Sequence, residues 1–241
     1  MNPQQGVKRS KVIVSLDLES KEKIDRIVEM LDFIEYFKVG PIPYLIYGNE
    51  LIEKLKKREK KVFLDLKFFD IPNTVKKSVK CACLKGVDML TIHIMGGEEM
   101  VKSAIEGKNE VGAETKILGI TVLTSLKEKD IDFTTFSIRE MVFKLAERGY
   151  NWGIDGIVCS GEELPFLREK FPSQFLMVVP GIRMKERKDD QKRVITPSMA
   201  VKKGADFIVV GRPVYESENP VKSVERIIKE VKIGEKSMGG D

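Results

Sequence analysis

Histidine occurs once in these 241 residues, at His93, so a metal site built on several imidazoles is excluded. Cysteine occurs three times, at Cys81, Cys83 and Cys159, with no CxxC pair. An odd count without paired spacing argues against a disulfide framework and points to a reducing, cytoplasmic compartment. Long hydrophobic runs are missing too. The apolar stretch at 12–18 is short and carries Asp17, so it reads as a strand and not as a signal peptide or membrane span. Aromatics interleaved with a basic groove are also lacking, which disfavours an RNA-binding or nucleotide-sensing module. The support for such a module is a formal charge of +5, from 42 basic and 37 acidic groups, and the basic run at 54–61. That run closes an amphipathic stretch, where solvent and the helix dipole account for it. Neither nucleic acid nor membrane is therefore an expected partner.

Short apolar runs alternate with longer amphipathic ones along the whole chain. Strands are expected at 11–17, 33–39, 61–66, 87–93, 115–122, 155–159, 174–179 and 206–210. Helices are expected at 20–31, from the Gly40–Pro43 turn to 57, and at 73–84, 97–106, 137–148, 162–170, 197–203 and 220–231. The strand runs are almost continuously apolar (VIVSL, VDMLTI, ILGITVL, FLMVV, FIVV), as a sheet buried on both faces requires. Eight strand–helix units with nothing left for a second domain predict an α/β fold, a single (β/α)8 TIM barrel over residues 1–241. An open doubly wound sheet shows the same alternation and is the alternative. Residues 1–10 and the polar, glycine-rich 234–241 read as flexible tails.

Charge concentrates at 63–74, FLDLKFFDIPNT, where Asp65, Lys67 and Asp70 interrupt an apolar strand. If the strand continues, Asp65 and Lys67 project from one side. Asp70 falls just past it, where Ile71-Pro72 turns the chain out. An ordinary internal salt bridge is the alternative. In a barrel the C-terminal strand ends share one mouth. Those ends carry Asp17, Lys38, Asp65 with Lys67, His93, Thr124-Ser125, Pro180-Gly181 and Gly211-Arg212. Lysines and carboxylates alternating on neighbouring strands keep each other ionised. Taken singly, Asp17 could cap the next helix and Lys38 could snorkel outward. Gly211 lets backbone N–H groups approach an anion and Arg212 offers a forked grip, so phosphate is read there, against a plain surface turn. The polar stretch at 184–193 reads as a lid or as a surface insertion. His93 either lines the mouth or sits hydrogen-bonded in the core.

Together these motifs resemble the orotidine 5′-monophosphate decarboxylase family. FLDLKFFDIPNT matches that family's DxKxxDIPNT. The resemblance extends from KVIVSLD at Lys11 through FKVG at Phe37, IHIMGG at Ile92, ITVLTS at Ile120 and DGIVCS at Asp155. It continues with VVPGIR at Val178, DQKRVITP at Asp190 and IVVGRPVYES at Ile208, in order and spacing over nearly the whole chain. DxKxxD alone is shared with hexulose-phosphate synthases, metal-dependent enzymes on the same barrel and the alternative reading; IPNT after Asp70 separates the two. The resemblance implies decarboxylation of orotidine 5′-monophosphate to UMP by a homodimer, without cofactor or metal. It implies that Lys67 is the proton donor to C6, that Asp65 lies beside the departing carboxylate, and that Lys38 links this acid network to the ribose. Asp70 would cross the dimer interface into the partner's site, accompanied by Ile71 and Thr74. Asp17 would hold the ribose 3′-hydroxyl, Thr124 read the pyrimidine, and Pro180 flank the carboxylate pocket. Gln191 would span base and phosphate, and Gly211 and Arg212 would bind phosphate. Phe69 stands where many relatives carry histidine.

Overall fold

Eight parallel strands close on themselves in the computed structural model, which describes residues 11–184 and 195–237. The first half of the chain runs β1 (Lys11–Ser15), α1 (Lys21–Met30), β2 (Tyr36–Val39), α2 (Pro41–Tyr47), α3 (Asn49–Lys57), β3 (Lys61–Phe68), α4 (Pro72–Leu84), β4 (Met89–His93) and α5 (Gly97–Asn109). The second runs β5 (Lys116–Ile120), α6 (Ile138–Trp152), β6 (Gly156–Val158), α7 (Leu164–Lys170), β7 (Leu176–Val179), α8 (Pro197–Lys202), β8 (Phe207–Val210), α9 (Arg212–Tyr215) and α10 (Pro220–Lys236). Each strand pairs with the next, and β8 returns to β1 with Lys11 opposite Phe207 and Val14 opposite Val210. That last pairing makes a barrel of what the alternation alone left open to a sheet.

Two apolar layers explain why the strands read as unbroken hydrophobic runs. One set of side chains, including Ile13, Tyr36, Phe63, Leu118 and Phe207, fills the barrel, where Tyr36 meets Phe207 edge-on at 5.2 Å. The alternate set, such as Val14, Phe37, Val62 and Leu90, packs outward against the helices, for example against Ile24 and Ile27 of α1 and Leu51 and Leu55 of α3.

A glycine–apolar–aspartate triplet recurs before β4, β6 and β8: Gly86-Val87-Asp88, Gly153-Ile154-Asp155 and Gly204-Ala205-Asp206. Each glycine has positive φ, +73°, +93° and +97°, and ends the preceding helix in a conformation that costs glycine little. Each aspartate then reaches back under the preceding odd strand. It accepts from Val62 N at 2.8 Å, Ile117 N at 2.9 Å and Met177 N at 2.7 Å. A cation neutralises each: Lys56 and Lys61 at Asp88, Lys108 and Lys116 at Asp155, Arg168 at Asp206. Burial raises the pKa of the Asp88 carboxyl, but the bonds from Lys56, Val62 N–H and Lys61 outweigh it and hold the group below its usual range. These clamps tie the barrel floor, leaving the opposite end free for chemistry.

The bounds expected for two helices and a tail are corrected. The helix after Gly40 is two helices, because Gly48 breaks it at φ +61°, ψ −145°. The last helix does not stop at 231 but runs to Lys236. Gly234 is buried against α8, where a Cβ would lie 2.7 Å from Ser198 O, so the stretch from 234 is no tail at its start. Residues 1–10 and 238–241 lie outside the described residues. The basic run at 54–61 is occupied by carboxylates: Lys54 pairs with Asp25, Lys56 and Lys61 with Asp88, and Arg58 and Lys60 with Asp32. Among the described residues no helix is long and apolar enough to cross a membrane.

Candidate active site

The C-terminal ends of β1, β2 and β3 bring four charged side chains into one line. Lys38 Nζ lies 3.0 Å from Asp17 Oδ2 and 3.3 Å from Asp65 Oδ2, and Lys67 Nζ lies 2.9 Å from the same Asp65 oxygen. The inner pair is deep, with side-chain exposures of 10% for Lys38 and 11% for Asp65, whereas Asp17 and Lys67 open to the cavity at 35% and 33%. A buried charge is tolerated only when paired, and here each has at least one opposite neighbour. Ser15 adds a hydroxyl that donates to Asp17 Oδ2 at 2.7 Å.

Asp65 and Lys67 do meet, but not by simple alternation. β3 pairs regularly with β4 up to Leu64 opposite Leu90 and resumes with Phe68 opposite Ile92, so three residues of β3 face one of β4. Within this bulge Lys67 takes φ +52°, left-handed backbone that costs a non-glycine residue roughly 1–2 kcal/mol. Its N–H leaves the ladder and donates to Thr91 Oγ1 at 2.9 Å, and that hydroxyl donates to Asp65 Oδ1 at 3.0 Å.

The array forms one wall of a cavity. Across its mouth stand Thr124 after β5, Pro180 and Gly181 after β7, and Gly211 and Arg212 after β8. Phe63, Ile120, Val158 and Val209 make an apolar floor. Carboxylates and lysines thus gather under strands one to three, and arginine beside strands seven and eight. Residues flanking the polar stretch meet, since Arg183 N donates to Ile195 O at 3.0 Å beside a parallel bridge between Ile182 and Ile195, whereas 185–194, and with them the lid reading, lie outside the described residues. Gln191 lies outside the described residues.

Asp70, Ile71 and Thr74 are exposed and do not line this cavity. Asp70 accepts from Ile71 N at 2.7 Å, and Phe69 and Ile71 on either side expose 60% and 66% of their surface. His93 is half-buried against the Phe69 ring, 5.3 Å between centroids, and is absent from the cavity lining. Burial, then the charge of Lys67, lowers its pKa against a smaller opposing effect of Asp65, so it stays neutral near pH 7.

Arg183 and Tyr215 in the cavity lining, and Gly40 against the charge array, are among the residues not singled out from sequence. Arg183, buried, lines the pocket and donates from Nη1 to Ile182 O at 3.0 Å. Tyr215 also lines it, with its pKa raised by burial and by Asp17. Gly40 makes room for the charge array: a Cβ there would sit 2.5 Å from Asp17 Oδ1 and 3.2 Å from Lys38 Nζ. The motifs VVPGIR, IVVGRPVYES and FKVG carried these three without marking which residue mattered. Among the described residues no three His, Cys, Asp or Glu side chains converge as metal ligands.

Comparison with known proteins places nearly the whole chain among relatives of one kind. Residues 10–227 match the model of the family described as orotidine 5′-phosphate decarboxylase / HUMPS. A protein of Lawsonia intracellularis named orotidine 5′-phosphate decarboxylase is 45% identical over 231 residues, covering 92% of this chain and 99% of the relative. A relative of the same name from Aquifex aeolicus is 42% identical, covering 91% and 97%. The crystal structure of orotidine 5′-phosphate decarboxylase from Lactobacillus acidophilus superposes with a TM-score of 0.82 at 34% identity, covering 92% of this chain and 99% of that one.

Proposed function

The chain belongs to the orotidine 5′-phosphate decarboxylase / HUMPS family, and from that premise we propose how its residues divide the work of converting orotidine 5′-monophosphate to UMP and CO2. The reaction completes UMP synthesis. Breaking the bond from C6 to the carboxylate leaves an electron pair in the plane of the pyrimidine. The ring π orbitals cannot delocalise that pair well, so it must be met electrostatically and quenched. Lys67 does both: its ammonium faces C6 as a fixed cation, then gives a proton to form the C6–H bond, leaving an amine for solvent to reprotonate. A charge already held in place costs no reorganisation when the transition state forms. Asp65 holds the ammonium and lies beside the departing carboxylate. Repulsion of that carboxylate is the smaller effect, because like charges raise a carboxyl pKa as readily as they drive reaction.

Lys38 carries the network to the ribose, whose 3′-hydroxyl Asp17 accepts. Thr124 reads the pyrimidine and Pro180 flanks the carboxylate pocket. Gly211 and Arg212 bind phosphate, with Arg183 as a second cation nearby, and Gln191 spans base and phosphate. Asp70, Ile71 and Thr74 serve the site of a second copy, in a cytoplasmic homodimer. The exposed apolar pair Phe69 and Ile71 beside Asp70 supports that interface, since water is a poor neighbour for both.

The observation that carries this reading is the unbroken line Asp17–Lys38–Asp65–Lys67 at one barrel mouth. Its test is loss of the orotate chromophore when the protein meets orotidine 5′-monophosphate, with and without EDTA. Equal rates are expected. A rate abolished by EDTA overturns the metal-free mechanism, and an unchanged chromophore with or without EDTA sinks the reading in favour of the sugar-phosphate branch.

A further inference from the structure

We propose that Thr91 is a positioning residue for the decarboxylation, setting the aim of the Lys67 ammonium through a single hydroxyl; the inference rests on the function proposed above. Thr91 sits in the middle of β4, wholly buried, and touches neither the cavity nor solvent. It faces the place where the β3–β4 ladder fails, the only β4 residue between the pairs Leu64–Leu90 and Phe68–Ile92. A backbone carbonyl cannot serve the displaced Lys67 N–H there, and the Thr91 side chain does so instead, at 2.9 Å.

The hydroxyl has one proton, and accepting from the amide fixes where that proton goes. It points at Asp65 Oδ1, 3.0 Å away. With Oδ1 so engaged, Oδ2 is turned toward Lys67 at 2.9 Å and Lys38 at 3.3 Å. One oxygen atom thereby holds both the left-handed backbone of the lysine and the rotation of its carboxylate partner. Valine has the same shape and neither function. Without the hydroxyl, the bulge keeps an unmet N–H and the carboxylate can turn, so the ammonium loses its register against C6. Substrate grip through ribose and phosphate depends on other strands and stays.

The experiment compares wild type, Thr91→Val, Thr91→Ala and Thr91→Ser for kcat and KM with orotidine 5′-monophosphate, and for UMP affinity by competition. In Val and Ala, kcat is expected to fall about 10- to 100-fold, the scale of a misplaced reacting group, while KM and UMP affinity move less than about 3-fold. Ser restores kcat to within about 5-fold of wild type, because it keeps the donor and acceptor. Should Val fail to fold, Ala carries the same expectation. The proposal is overturned if the hydroxyl-free variants keep wild-type kcat, if Ser loses as much as they do, or if the loss appears in KM instead. An inactive wild type sinks both this and the assigned reaction; an active wild type with unimpaired Val and Ala variants sinks this one alone.

Discussion

Lys67 and Arg212 sit at strand ends three positions apart around the ring, and their chemistry separates what each can contribute. Lys67 offers a single movable proton beside an anionic partner. Arg212 offers a planar fork that stays charged and does not give up its proton. Lys67→Ala should therefore lower kcat by at least about 100-fold while leaving UMP affinity nearly intact. Arg212→Ala should raise KM and weaken UMP by about 10- to 100-fold, as the loss of a charge-assisted bond to phosphate implies, with a smaller effect on kcat at saturation. Steady-state kinetics with UMP competition reads both, and an unchanged KM in the arginine variant would remove the phosphate role. These residues were legible in the sequence because a charge in an apolar strand end is conspicuous. Gly40 was not, since a missing side chain shows its use only when Asp17 is found 2.5 Å from where a Cβ would be. Arg183 was hidden for the opposite reason, being one basic residue at the edge of a stretch already rich in them.

Strands were read correctly in kind and number where hydrophobic period alone decided them, and seven of the eight lie within the runs expected, β3 being the exception. There the strand extends two residues further, through a bulge that pattern cannot reveal: a period of two places Asp65 and Lys67 together whether or not the ladder slips. The floor clamps were equally silent, because glycine before an apolar residue and an aspartate looks like a turn until the aspartate is seen under the neighbouring strand. Their energetic weight can be measured at Asp88. Its pKa is depressed in the folded chain, so its contribution is present above the ordinary value of 3.8 and is lost as pH falls through the lower folded value. Asp88→Asn keeps the shape and removes the charge that Lys56 and Lys61 face. It should cost about 2 kcal/mol at pH 7, lowering Tm by roughly 4–8 °C. Thermal scans at falling pH should show the difference between wild type and variant shrinking below about pH 4. A gap that stays constant to pH 3 would mean that the charge of Asp88 does not stabilise the barrel.

At the scale of the whole molecule, the proposed dimer implies that one barrel holds an incomplete set. Lys67 has Asp65 at 2.9 Å, yet Asp70, which the family resemblance places with them, points out of its own cavity between two exposed apolar side chains. A second copy related by a twofold axis would cover Phe69 and Ile71 and carry each Asp70 into the other's mouth, because an isologous contact exchanges the same residue both ways. This makes a prediction that no monomeric site can meet. Lys67→Ala and Asp70→Ala should each be nearly inactive alone. In a dimer containing one of each, one site has both substitutions and the other has neither. Random pairing of equal amounts makes half the dimers mixed, with one intact site in two, so co-expressed chains should recover about a quarter of wild-type activity. Purification through two different tags, one on each chain, should raise that to about half. If the mixed dimers stay as inactive as their parents, Asp70 acts within its own subunit or not at all, and the shared site is wrong.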